Sequence, residues 1–513
     1  MTTWMGTHFL SFLVFAPAVA GLLLMTFPER QAKLAKLLAL LVSIAIFAVS
    51  LRAIGLVPDG ANWLFLEHRP WFSLAGLPVD YRFGMDGLNL WLVLLTALLT
   101  PITLLATWNS LTRREGIFAG LLLLLETGVL GSLLSQDLLL FYLFWEGMLI
   151  PTTFMIWIWG GEDRSYAGTK YFLYLVSGSL LWLVGLLYLA VQAGSFAPEL
   201  MAQAATQLPL HAQGWLFLAF ILAFAIKFPL FPLHTWMPDA YSQAPTGAVP
   251  VGMLVKLGGY GFLRFVIPIL PAMVARHSKA LAVLAVFAIL FGATVALAQR
   301  DMKKLLAYSS LSHMGFVLLG LASLTVVGVQ GASLQILNLG ITTAALFLMT
   351  GMLQDRAGTV MIADFGGVAS RMPILTGFWI VAMLASIGLP ITNGFVGEFL
   401  IFNGAFTSGF AWGRAAACVA TLGVLLGAAY MLWMTKRVFW GAENADPDCG
   451  TAKLGSDLSV REIAALLPLL ALILWIGIHP RTFLSASERP VTQMLLDAKA
   501  PAATQATVLE VHP

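Results

Sequence analysis

The chain has 513 residues, 59% of them hydrophobic and only 10% charged, with a net charge of +3. A soluble domain carries about 25% charged residues, so the composition excludes that class and points to an all-α polytopic membrane protein. The small net charge suggests no nucleic-acid partner. Cys418 and Cys449 lie far apart without metal-ligand spacing, which argues against a disulfide framework and an iron–sulfur site.

Apolar runs of about 20 residues mark spanning helices, and about 14 follow in chain order by that rule. They fall at 8–27, 34–56, 87–108, 116–134, 137–158, 170–193, 214–237, 247–270, 280–298, 305–325, 331–352, 373–403, 411–434 and 463–479. The first lacks a basic n-region and a cleavage site, so it reads as a retained helix rather than a signal peptide. The loop 57–86 is the longest polar interruption in the N-terminal half. The runs 116–134 and 137–158 almost touch and predict a tight hairpin. Segment 436–462 is the most polar stretch, and the tail after His479 is mildly amphipathic and expected on the surface.

Basic residues set the orientation. With the N-terminus outside, the inside loops hold 16 of the 28 Lys and Arg, from Arg30 and Lys33 through Arg300, Lys303 and Lys304 to Arg461. The excess favours N-out and C-out.

Two of the runs look broken, helices 7 and 12. In 214–237 Pro229 and Pro232 fall mid-segment, and in 373–403 Pro390 follows Gly388. Proline removes a backbone donor and clashes with the preceding turn. Such a break is tolerated at membrane depth only where protein buries it or it lines a wet cavity. The breaks Pro229 and Pro390 are 161 residues apart, and Asp137 and Asp301, each opening a helix, are 164 apart. That spacing suggests two repeats of about five helices; an odd count makes them inverted, the arrangement in which transporters place ion sites at paired broken helices. The expected divisions are 1–115 (helices 1–3), 116–270 (first repeat), 280–434 (second repeat) and 435–513 (inside loop, helix 14 and tail).

Four ionisable residues lie inside these segments: Glu146, Lys227, Lys256 and Glu398. Each costs about 2.5–3.5 kcal/mol or more in hydrocarbon, which points to proton or ion translocation. Glu146 is nine residues after Asp137, about 13 Å along its helix. Lys227 sits beside the first break, where an ion pair with Glu146 would decide whether it keeps its proton. Lys256 is placed mid-helix, six residues past Pro250, with no acid at i±4. Glu398 is eight residues past Pro390 and about five before its helix ends, which suits an exit group. The simpler alternatives are a structural salt bridge for Glu146, a ligand of broken-helix carbonyls for Lys227, and an interfacial acid for Glu398.

Secondary candidates are Glu126, His313, His234 and Asp239. His313 follows Tyr308-Ser-Ser-Leu-Ser312 and can relay protons near neutral pH; a satisfied core histidine is the competing reading. Glu126 would feed the inner end of a path. His234 and Asp239 flank the inner end of the broken helix, as entry groups or as a capped turn. Arg264 is expected to snorkel at the outer interface. With only His234 and His313 at depth, a bis-histidine haem is disfavoured, and no dinucleotide or phosphate loop occurs.

The runs DLLLFYLFWEGMLIP (137–151), KFPLFPLHTWMPDAYSQAPT (227–246), LVKLGGYGFLRF (254–265) and YSSLSHMG (308–315) resemble the antiporter-like subunits of respiratory complex I. The resemblance covers helices 4 to 13. It implies a fold of 14 helices with two inverted five-helix repeats. It also implies a coupling pair Glu146–Lys227, a central relay Lys256, an exit group Glu398, a helix-4 acid Glu126 and a relay histidine His313. Several relatives carry a second relay histidine in helix 11. Here Gln335-Ile-Leu-Asn338-Leu-Gly340 has none, so Asn338 or water is expected to carry the wire, or the path runs elsewhere. A glutamate rather than a lysine in the twelfth helix, and the lack of a long lateral C-terminal helix, mark a particular subunit type.

By resemblance the chain would be a proton-translocating subunit of a proton-pumping NADH:quinone oxidoreductase in a bacterial-type inner membrane. It would need no cofactor of its own and hold no metal. FMN, iron–sulfur clusters and quinone are expected in partner subunits. The partners are the lipid bilayer and other membrane-arm subunits, further antiporter-like ones included. Two rivals stay open: a cation/proton antiporter or membrane-bound hydrogenase subunit of the same fold, and a scaffold whose buried charges only hold helices together.

Overall fold

In a computed structural model, residues 8–56, 63–111, 113–247, 256–442 and 450–509 are described. The start of the eighth predicted helix (248–255), the stretch 57–62, and Cys449 with its neighbours 443–448 lie outside them.

The chain opens with α1 (Phe9–Met25) and α2 (Ala32–Ser50). The loop 57–86 is not all loop: β1 (Phe65–Leu74) and β2 (Leu77–Met85) pair antiparallel. Ala75 and Gly76, at φ 51 and 84, make the two-residue turn, the conformation that matches strand twist. A rule keyed to 20-residue apolar runs cannot see a strand, whose period is two. Glu67 of β1 caps α1, accepting from Leu10 N at 2.6 Å, so the hairpin is fixed to the first helix.

Next come α3 (Leu90–Ala106), α4 (Glu115–Leu134), α5 (Leu138–Gly147) and α6 (Leu149–Trp159). The tight hairpin between α4 and α5 is as read. Asp137 caps α5, accepting from Leu139 N at 2.9 Å and Leu140 N at 3.0 Å. The predicted 137–158 helix is interrupted at Met148, next to Glu146. There follow α7 (Arg164–Ala193), α8 (Pro198–Gln207), α9 (Leu210–Lys227) and α10 (Trp236–Gln243). The seventh segment is therefore broken, as its prolines require, into α9 and α10. The orphaned Ile226 carbonyl accepts from Trp236 Nε1 at 2.9 Å, which satisfies one freed group of the break.

Helix α11 (Leu257–Gly261) continues through a π turn, Phe262–Val266, and is followed by α12 (Pro271–Arg276). Lys256 precedes α11 rather than sitting mid-helix. The second half holds α13 (Ser278–Leu297), α14 (Met302–Ala322) and the unbroken 32-residue α15 (Val326–Ala357). Asp301 caps α14 through Lys304 N at 3.0 Å. After the short α16 (Val368–Arg371), the twelfth segment is two helices, α17 (Pro373–Ser386) and α18 (Asn393–Phe406). Gly388 and Ile391 take φ 72 and 79 between them. The chain ends with α19 (Gly413–Trp440), α20 (Val460–Ile478) and α21 (Arg481–Leu509). A capping box, Ser459 with Glu462, starts α20.

The tail is not merely superficial. Phe483, Ser487, Val491 and Leu495 form a buried stripe of α21 at helical spacing, with Phe483 4.5 Å from the Trp91 ring.

Ten helices are long and apolar enough to cross a membrane, and four shorter apolar helices accompany them among the described residues. Burial separates them: α4, α14 and α15 are enclosed almost completely, whereas α7, α9, α13 and α19 expose apolar faces. Glu126, His313, Gln335 and Asn338 lie on these enclosed helices.

Candidate functional site

Two of the four intramembrane charges sit at interruptions of the helical backbone. Lys227 is the last residue of α9 and Lys256 the residue before α11, while Glu398 is the sixth residue of α18, inside that helix. The fourth, Glu146, is followed within two residues by the α5–α6 interruption. Helix ends leave backbone groups without intrahelical partners, so a charge placed there finds dipoles that an intact helix would withhold.

Lys227 uses one. Its Nζ donates to the Trp145 carbonyl at 3.0 Å and lies 4.2 Å from the centroid of the Trp145 ring. Trp145 and Glu146 are neighbours, yet Lys227 and Glu146 are not in ion-pair contact; the two charges act on each other across a gap. That bond reaches the end of α5 rather than a carbonyl of its own broken segment.

Lys256 is buried. Its Nζ donates to the Tyr241 hydroxyl at 3.0 Å, which links the start of α11 to the second half of the broken seventh segment. Glu398 is buried too, its Oε1 3.2 Å from His313 Nδ1. The two do not align as a hydrogen bond: neither ring nitrogen of His313 has a partner of proper geometry. Glu398 lies eight residues before its helix ends at Phe406 and five past the helix start. It therefore belongs to the break more than to the outer end, contrary to the spacing argument, which placed the end near 403.

The secondary candidates separate. Glu126, on α4, is 0% exposed and neither carboxyl oxygen has a hydrogen-bond partner. Asp239, on α10, is ion-paired to Lys170 of α7 at 2.7 Å. Buried His234 lies among Phe231, Phe291 and Tyr308, with Nδ1 unpartnered. The structure brings His313 up to Glu398 and sets Lys227 on the residue before Glu146 without an ion pair; it does not bring Glu126 into direct contact with any of them.

Other residues stand differently from their expected places. Arg264 does not snorkel: within the π turn it is clasped by Asp86 and by Gln136. Lys303, assigned to an inside loop by the basic-residue count, is buried in the first turn of α14, its Nζ 3.4 Å from the Ala244 carbonyl. Near Glu398 an amide cluster joins α15 to α18: Asn338 Nδ2 donates to Gln335 Oε1 at 3.0 Å and to the Asn393 carbonyl at 2.7 Å. The run of polar residues at 335, 338 and 342 on one apolar helix was the available signal. Among the described residues no group of three His, Cys, Asp or Glu could hold a metal ion.

The class of this broken-helix membrane fold is given by a family model described as NADH:quinone oxidoreductase/Mrp antiporter, transmembrane, which matches residues 135–425. Relatives narrow it. NADH-quinone oxidoreductase subunit M of Rickettsia typhi is 37% identical over 95% of this chain and 98% of its own. A chain of respiratory complex I from Thermus thermophilus with bound NADH superimposes with TM-score 0.83 at 34% identity, covering 95% of this chain and 99% of that one. A chain of the Mrp complex from Dietzia sp. DQ12-45-1b reaches the same TM-score at 21% identity, over 95% of this chain and 97% of that one, which shows the shared fold alone. The chain belongs to the NADH-quinone oxidoreductase subunit M family.

Proposed function

We propose that this chain is a proton-translocating subunit in the membrane arm of a proton-pumping NADH:quinone oxidoreductase, with other antiporter-like subunits as neighbours. It performs no redox chemistry itself; FMN, iron–sulfur clusters and quinone belong to partner subunits. Its place is a bacterial inner membrane, with both termini outside. The ten long and four short apolar helices supply the crossings. Residues 116–270 and 280–434 form two inverted repeats, a reading supported by the matched caps Asp137 and Asp301 and by the two broken segments.

The observation that carries the relay is the siting of Lys227 and Lys256 at helix interruptions, with Glu398 buried beside His313. Protons pass from Glu146 and Lys227 through Lys256 to Glu398, with His313 beside the exit and Glu126, His234 and Asp239 toward the entry. The separation of the Glu146 carboxylate from the Lys227 ammonium decides whether the lysine keeps its proton. Here Lys227 is turned to the Trp145 carbonyl, the open arrangement of that switch. Redox chemistry elsewhere would drive its closure.

The test is to isolate the native complex through a tag on this chain and assay it in sealed proteoliposomes. NADH:quinone turnover accompanied by lumen acidification is the expected result. Transport without NADH oxidation, dependent on Na⁺, would assign the chain to an antiporter instead.

A further inference from the structure

The polar residues of α15 do not form a wire. Asn338 Nδ2 is already committed to two acceptors, Gln335 Oε1 and the Asn393 carbonyl, and those acceptors fix which end of the amide is the donor. Asn393, the first residue of α18, answers: its Nδ2 reaches the Asn338 carbonyl at 3.5 Å and its Oδ1 accepts from Thr342 Oγ1 at 3.2 Å. All four side chains are buried. The unbroken α15 thus grips the broken segment at the point where α18 begins, five residues before Glu398. Gly397 completes the fit, since a Cβ there would lie 2.9 Å from Asn338 Nδ2 and would also strike Gln335 Oε1.

We propose that Gln335, Asn338, Thr342 and Asn393 are a neutral positioning clasp. It holds the start of α18 so that Glu398 faces His313, and the 335–342 stretch of α15 supplies no proton-carrying group. The inference rests on the relay reading of Glu398. An amide does not take up a proton near neutral pH, so the clasp cannot replace a relay histidine chemically. It acts by geometry: a misplacement of about 1 Å at a reacting pair costs about a hundredfold in rate. One acceptor, Asn338 Oδ1, is left buried without a partner.

The test uses the purified complex in proteoliposomes, with NADH turnover and lumen acidification per assembled complex as the readout, since a purely structural defect lowers the yield of complex without changing the rate of what assembles. Asn338→Leu and Asn393→Ala are each expected to lower both rates by half or more. Because both belong to one clasp, the double variant is expected to do no worse than the more damaging single one. Thr342→Val, which removes a single bond, is the milder variant should the others not assemble, and a smaller drop is expected. Glu398→Gln runs alongside. Slowed pumping in Glu398→Gln with normal rates in the clasp variants, or additive effects in the double variant, overturns the clasp alone. Normal rates in Glu398→Gln overturn the relay reading and the clasp with it.

Discussion

Lys227 and Trp145 meet twice, once through the lysine's hydrogen bond to the tryptophan carbonyl at 3.0 Å and once through its ammonium 4.2 Å from the ring centroid. The ring is buried, where an ammonium–aromatic contact is worth about 2 kcal/mol. This contact holds the lysine while Glu146 stands away.

Weakening the ring should therefore disturb the lysine's resting place without removing its carbonyl partner. Trp145→Phe keeps a ring of weaker quadrupole and is expected to slow coupled turnover about threefold, a loss below about 1 kcal/mol. Trp145→Ala also opens a cavity, costing about 3–5 kcal/mol of stability, and is expected to lower the amount of assembled complex as well. Turnover of Trp145→Phe equal to the parent's would show that the backbone carbonyl suffices.

Glu146 is tested by removing its charge at constant shape. Glu146→Gln is expected to cut turnover and lumen acidification at least tenfold, equivalent to about 1.4 kcal/mol of barrier, with the complex still assembled on native gels. The structure shows no ion pair to lose at Glu146 in this arrangement, so a fall in stability is not expected. Normal activity in that variant would remove the switch from the mechanism.

A different outcome follows at Arg264. Its guanidinium is held by Asp86 and Gln136 and covered by the Trp63 ring at 4.9 Å, none of them a relay residue. Asp86→Asn leaves a buried cation without its counter-charge, which costs about 3–5 kcal/mol. The expected readout is a lower denaturation midpoint of the purified complex, little affected by salt because the pair is buried, and an unchanged ratio of protons to NADH in what survives.

How much of this was readable beforehand follows from the range of each interaction. Lengths of apolar runs gave the spanning helices, because hydrocarbon thickness acts on consecutive residues. Pro229, Pro232 and Pro390 gave the two broken segments, because proline acts on its own turn. The hairpin β1–β2 escaped, since neither helical period nor run length registers it. The pairings escaped for a different reason. Arg264 and Asp86 are 178 residues apart, and Lys170 and Asp239 are 69 apart; only the folded chain decides that they meet. Glu398 was found as a buried acid by composition, but its nearness to the break depended on where α18 begins, which the backbone of 387–392 settles.

The break between α17 and α18 also holds Glu398 in place through Gly388. Gly388 has φ 72, and a Cβ added there would lie 2.6 Å from Glu398 Oε2. Alanine in this left-handed conformation costs about 1–2 kcal/mol, which a large complex can tolerate, and the remaining conflict is relieved most easily by turning the flexible end of Glu398 away. Gly388→Ala is thus expected to assemble but to lose most of its proton pumping. Gly377→Ala serves as the control: it lies inside α17 with nothing within 4 Å of the added methyl, and a helical glycine replaced by alanine gains about 0.8–1.0 kcal/mol. Full pumping in Gly388→Ala would mean that the carboxylate works from more than one position, and the approach of Glu398 to His313 would then have no part in setting the rate.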